Sequence, residues 1–307
     1  MTQSHIRIHR FRKGFAALAG LAVAALGAVA ASPAVAESAA VDPKVVAYVE
    51  VNSNDLANVA DYTLKDSGKP AVDIAIIFAA NINYDGEKAV LHFNDRVTAT
   101  LDDAKNQIRP LQENGTKVLL SVLGNHQGAG FANFTSKEQA DAFAKQLADA
   151  VTTYGLDGID FDDEYAQYGA NGTPQPNSDS FGWLATALRE RLGPDKIISL
   201  YAIGETYTQT DFGKFDASEA IDYAWNPYYP TYNAPTIPGL DKSRIGAAAI
   251  DLANVSTSTA TDFAERTVSD GYGIYVAYNL TATDQSGLLS GITQELKGEA
   301  TQYQVAP

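Results

Sequence analysis

The sequence predicts an α/β protein folded as a TIM (β/α)8 barrel, and three observations carry that prediction. Short apolar, β-branched or aromatic runs recur eight times, at 45–51, 72–80, 118–123, 158–161, 197–201, 223–225, 245–252 and 273–278. Most are continuously apolar, as expected for parallel strands covered on both faces. Helical stripes separate most of them, and eight such units in about 250 residues match a barrel in size and count. A doubly wound sheet is the alternative, but the G-x-G-x-x-G turn that usually follows its first strand is absent.

Residues 1–36 read as a secretory leader ahead of the barrel. Arg7, Arg10, Arg12 and Lys13 form a basic start, residues 15–30 an apolar run, and Ala34-Val35-Ala36 a cleavage site before Glu37. The run is shorter than the ~20 residues a membrane anchor needs. A secreted protein is therefore expected, with residues 37–307 as one barrel domain. In that domain, Ser136-x-x-Gln139 is a capping box ahead of Ala140, Phe143, Ala144, Leu147 and Val151 at helical spacing. Phe181, Leu184, Ala185, Leu188 and Leu192 form a second stripe, stopped by Gly193-Pro194. Leu101, Ala104, Ile108 and Leu111 form a third, which Pro110 should kink. Phe263, Ala264 and Val268 form another, and Leu288, Leu289, Ile292 and Leu296 the last. Segments 53–70 and 229–244 give weak helix signals, so loops are expected to replace some helices.

Composition removes several chemistries. The chain has 22 Lys+Arg against 37 Asp+Glu, a net charge of −15. Loss of the leader takes away four basic and no acidic residues, leaving 271 residues at −19. Such a surface suits neither nucleic acid nor an anionic membrane. There is no Cys, so thiol nucleophiles, disulfides and Cys-ligated metals are excluded. Only His92 and His126 remain beyond the leader, and no H-E-x-x-H, G-x-S-x-G or P-loop pattern occurs. No metal or cofactor is expected.

In a barrel the reactive groups sit at the C-terminal ends of the strands. The fourth run, Leu156-Asp157-Gly158-Ile159-Asp160-Phe161-Asp162-Asp163-Glu164-Tyr165, is the most informative. Strand side chains alternate faces, so Ile159 and Phe161 share one face and Asp160, Asp162 and Glu164 the other. The apolar pair should pack on the helices and the carboxylates point into the barrel. Stacked acids raise one another's pKa, a cost better suited to proton transfer than to structure. An EF-hand reading fails, because its sixth position would be Tyr165 and its twelfth Asn171.

Asp157 to Glu164 resembles the D-G-x-D-x-D-x-E signature of glycoside hydrolase family 18. Stretches at 81–85, 120–128, 161–165, 199–201 and 223–229 are similar to bacterial endo-β-N-acetylglucosaminidases of that family, and the likeness runs through roughly 45–298. The resemblance implies cleavage of the β-1,4 bond between the two core N-acetylglucosamines of high-mannose and hybrid N-linked glycoproteins. It implies Glu164 as general acid and then base. No enzyme nucleophile is implied: the substrate's own 2-acetamido carbonyl attacks the anomeric carbon, an exception to the two-carboxylate schemes. Asp162 would orient the acetamide, and Asp160 would share its proton. Asp157, at an odd offset, should open the strand and hold backbone amides. By analogy Tyr201 and Tyr228 end their strands at the mouth, where a hydroxyl polarises the acetamide; Asn226 could do similar work. An ordinary barrel-end aromatic is the alternative for each Tyr. Asn125 and His126 are assigned to distal mannose, with a capped loop as the alternative. Trp225 has the opposite parity and is expected in the core. Ala202 departs from the group, which carries Asn after the Tyr. A chitinase of the same family would share these acids; a sugar-binding barrel without catalysis usually loses the acid that Glu164 supplies.

Overall fold

The computed structural model describes residues 42–305, so the expected leader lies outside the described residues. Eight parallel strands follow one another around a closed barrel: β1 (Lys44–Glu50), β2 (Ile74–Tyr84), β3 (Lys117–Gly124), β4 (Gly158–Asp162), β5 (Ile197–Tyr201), β6 (Tyr223–Trp225), β7 (Ile245–Asp251) and β8 (Ile274–Tyr278). Pairing of β1 with both β2 and β8 closes the ring. All eight strand segments expected from the sequence are present. The second is longer than expected: β2 runs on to Tyr84 and turns back through Ala89–His92 as an antiparallel hairpin above the barrel.

The helices follow the expected stripes with two differences. Lys137–Tyr154 (eighteen residues) starts where the Ser136 side chain accepts from the Gln139 amide and stops at Gly155, whose φ of 62° favours glycine. It buries the five expected apolar residues. Ser180–Leu192 and Ser286–Lys297 bury their stripes except for Leu192 and Leu288, which are partly buried against the core. The stripe through Leu101 and Leu111, however, is three short helices, Asp95–Asp102, Ala104–Gln107 and Arg109–Glu113. Pro110 sits in the first turn of the last one, where its missing N–H costs nothing. Helix Thr257–Asp270 packs through Ala260, Ala264 and Thr267, leaving Val268 exposed. Segments 53–70 and 229–244 hold only 3-10 turns and short strands, so two helices are indeed replaced.

Two apolar clusters follow from strand alternation. Val45, Ala47, Ile77, Ile159, Phe161 and Leu200 face the helices, whereas Val46, Tyr48, Ile76, Leu119, Tyr201 and Trp225 fill the barrel interior. The ring of Phe161 meets Phe131 and Phe181 edge-on, at 5.0 and 5.4 Å between centroids. Removing such a buried ring costs about 3–5 kcal/mol. A one-residue slip would instead bury the flanking acids against helices, so Phe161 pins the register of β4. Gly158 opens the strand because a Cβ there would lie 1.8 Å from the Ile197 carbonyl oxygen.

Candidate active site

The strand β4 presents Asp160 and Asp162 to the interior. Asp160 is fully buried and meets three hydroxyl donors. Tyr48 of β1 and Ser121 of β3 each donate to Oδ2 at 2.9 Å, and Ser199 of β5 donates to Oδ1 at 2.7 Å. Strand register explains the ring, since Ser121, Asp160 and Ser199 are direct partners across β3, β4 and β5. Burial pushes the Asp160 carboxyl up to about 6, with the three donors opposing. Asp157 is the strand opener expected of it: Oδ2 accepts from the Val118 amide and from Gln112, and Oδ1 pairs with Lys117.

Asp162, one step higher, is also buried, yet neither of its oxygens has a hydrogen-bond partner. Burial, followed by the nearby charges of Glu164, Asp160 and Asp163, pushes its carboxyl well above the usual range. Glu164 lies just beyond the strand and is half-buried, and desolvation raises it as well. Its segment is tied to the loop after β3: the Gly124 amide donates to the Glu164 carbonyl at 2.9 Å, His126 to Tyr165 at 2.7 Å and Gly128 to Ala166 at 2.8 Å. A Cβ on Gly124 would stand 2.4 Å from the Ala166 nitrogen, so this approach needs glycine. Asp163 points the other way. It accepts from Tyr168 Oη and the Thr206 amide, each at 2.6 Å, holding the following loop.

Asp162 and Glu164 open into a cavity of ≈ 250 Å³ walled by Tyr48, Phe78, Leu123, Tyr165, Tyr201, Tyr229 and Tyr278. Flat aromatic walls around two acids suit a sugar ring, which offers apolar C–H faces and polar edges. The Tyr229 and Tyr278 rings stack at 5.5 Å, and the phenol oxygens of Tyr201 and Tyr229 share a short hydrogen bond. Tyr201 also donates to the Pro227 carbonyl at 2.9 Å.

Of the expected residues, Asp162, Glu164 and Tyr201 line this cavity, Asp160 is buried on the same face of β4 without lining it, and the others are not in it. The expectation for Tyr228 is corrected: it is 56% exposed, and Tyr229 stands in the cavity wall instead. The physical reason is that β6 ends at Trp225, so parity cannot be counted through Asn226 and Pro227. Asn226 is corrected with it, because its amide nitrogen is spent on Thr231 and the Ala247 carbonyl and its oxygen accepts from the Tyr228 amide. Asn125 donates to Asn83 and ties down the β2 extension. His126 lines a neighbouring cavity of ≈ 400 Å³ that shares the Tyr165 wall. Ala202 lies beside Tyr228 in a small cavity of ≈ 160 Å³. Core packing holds for Trp225, which is fully buried inside the barrel. The donors Tyr48, Ser121 and Ser199 and the wall residue Tyr229 were missed. Inward parity on β1, β3 and β5 was the available signal for the first three.

The glycosyl hydrolases family 18 model matches residues 44–236. An endo-beta-N-acetylglucosaminidase of Flavobacterium sp. (strain SK1022) is 55% identical over 261 residues, covering 85% of this chain and 82% of that protein. Endo-beta-N-acetylglucosaminidase F1 of Elizabethkingia meningoseptica is 33% identical over 278 residues, covering 86% of this chain and 81% of that protein. Among solved structures, Bacteroides thetaiotamicron EndoBT-3987 with a Man5GlcNAc product is similar at a TM-score of 0.73 and 27% identity. That match covers 85% of this chain and 62% of the other, so the chain spans less than two thirds of that protein.

Proposed function

The chain belongs to the glycosyl hydrolases family 18, and on that premise we propose that it is an endo-β-N-acetylglucosaminidase cutting the β-1,4 bond in the N,N'-diacetylchitobiose core of high-mannose and hybrid N-linked glycans. The observation that carries the reading is Asp162: a buried carboxyl whose two oxygens have no partner in the protein, facing a cavity of ≈ 250 Å³ walled by aromatic rings. A buried polar group without a partner is costly, so its partner is supplied by what enters the cavity. An acetamide N–H is the matching donor.

The chemistry proceeds in two steps. Glu164, whose half-buried position favours its protonated form, gives its proton to the glycosidic oxygen as the C1–O bond breaks. The acetamide carbonyl oxygen forms the new bond to C1 and closes an oxazolinium ring. Asp162 accepts from the amide N–H, whose nitrogen becomes positive, and stabilises that charge in a dry site. The proton Asp162 held passes to Asp160, which leaves Asp162 ionised beside the charged nitrogen. Glu164, now ionised, removes a proton from water, which opens the ring with retention at C1.

The test uses the purified protein, a denatured high-mannose glycoprotein and a chitin oligomer, read by mass. Release of the glycan with one N-acetylglucosamine left on asparagine is expected. Cleavage of chitin alone would replace this reading with that of a chitinase, and no cleavage of either would leave a sugar-binding barrel. Export is part of the proposal: the secreted protein should begin at Glu37 when its N-terminus is sequenced.

A further inference from the structure

Behind the carboxylates, the interior continues through a hydrogen bond that the reaction above does not use. The Trp225 indole Nε1–H donates to the Tyr48 hydroxyl at 2.9 Å, and Tyr48 donates onward to Asp160 Oδ2 at 2.9 Å. Both aromatic residues are fully buried, and their rings meet edge-on at 6.5 Å. An indole N–H can only donate, whereas a phenol can donate or accept.

We propose that Trp225 is a positioning residue: by occupying the Tyr48 oxygen as a donor, it fixes the phenol proton on the Asp160 side and makes Tyr48 a donor that cannot reverse. The consequence falls on one oxygen. Ser121 and Ser199 carry rotatable hydroxyls that can turn and accept from a protonated carboxyl. Tyr48 cannot, so the side of Oδ2 that faces Tyr48 is closed to protonation, and a proton can enter only toward Ser121 or, at Oδ1, toward Ser199. Asp160 is thereby kept as the acceptor of the pair, and the resting proton is directed to Asp162, whose oxygens are free of protein partners.

The surroundings of Asp160 leave few other groups to set this polarity. Tyr48 faces it from β1, Ser121 from β3, Ser199 and Tyr201 from β5 and Trp225 from β6, with Asp162 and Glu164 above on its own segment and Tyr229 beyond. The interior residues of β2, β7 and β8 near this level, Ile76, Ala249 and Val276 among them, are apolar.

This inference deepens the glycosidase reading and rests on it for its kinetic part, so the experiment has two arms. The chain contains two tryptophans, Trp183 and Trp225. The indole N–H resonances of nitrogen-15-labelled protein therefore number two, assigned with Trp183→Phe, which should leave the pH profile unchanged. The Trp225 resonance should titrate with the carboxylate pair, and Tyr48→Phe should abolish that response. A Trp225 resonance that stays fixed through the acid limb of activity overturns the proposal, whether or not the protein cuts glycans. In the kinetic arm, donation from Tyr48 favours ionised Asp160, so losing the lock lets the pair take up its second proton at higher pH. Trp225→Phe should move the acid limb of kcat/KM up by roughly 0.3–1 pH unit, with KM at the pH optimum changed less than kcat. An unshifted limb in a folded Trp225→Phe enzyme also overturns it. Absence of glycan cleavage with a titrating Trp225 resonance would instead sink the glycosidase reading and leave the lock standing.

Discussion

Asp160 and Asp162 lie two residues apart on the same face of one strand, equally removed from water, yet their environments are opposite. Asp160 is ringed by Tyr48, Ser121 and Ser199, whereas Asp162 has no partner at either oxygen. Burial raises both, Asp160 to about 6 and Asp162 well above the usual range. The difference shows where the fold stops and the substrate begins. At the lower level the barrel completes its own hydrogen bonding; at the upper level it leaves an acid unsatisfied, a cost a fold tolerates where function requires it.

Substitutions along this line sharpen the contrast. The largest effect belongs to Glu164, the acid at the open end: Glu164→Gln should slow kcat about 10²–10⁴-fold on a high-mannose glycoprotein, the usual share of acid–base catalysis. Wild-type turnover would remove its role. Asparagine at the two buried acids should then separate them. Asp162→Asn should slow kcat roughly 10²–10³-fold yet raise thermal stability at pH 7. The sign follows from the raised carboxyl. In the folded state Asp162 holds its proton above the unfolded value of about 3.9, so its contribution is fully present below that value and is lost as pH rises through the folded one. Asn carries no such loss, so the gain should be a few °C at pH 7, roughly 1–2 kcal/mol, and should vanish near pH 4. Asp160→Asn should give a smaller gain, because three hydroxyls already donate to the Asp160 carboxylate and offset its burial, whereas Asp162 has no such donor. Melting curves of both variants at the two pH values make the check, and equal gains at both sites would break the comparison.

The barrel and the strand carrying the acids were legible because the evidence was local. Ile159 and Phe161 alternate with Asp160 and Asp162 over a run long enough for parity to hold, and the helices on either side are capped by Ser136, Gly155 and Gly193. The same reasoning failed on β6 because that strand is three residues long. Beyond it Asn226 turns its side chain to Thr231 and the Ala247 carbonyl, which puts Tyr228 in solvent and Tyr229 in the cavity. The donors around Asp160 come from three other strands, with Tyr48 lying 112 residues away in sequence. Their partnership is set by barrel closure and inter-strand register, which no local pattern encodes. The hairpin beyond Ala80 was missed because Asn81 and Asn83 look like loop residues, although the strand carries them through pairing with His92 and Val90.

The central claim is that the group attacking C1 belongs to the ligand and that Asp162 serves it. Hydrolysis rates on a pair of glycan substrates, one with the native acetamide at the reacting sugar and one with a trifluoroacetamide, test this most directly. Fluorine withdraws electron density from the carbonyl oxygen, so the account predicts a kcat at least ~10-fold lower for the fluorinated substrate, a barrier higher by about 1.4 kcal/mol or more. Equal kcat values for the two substrates would contradict it.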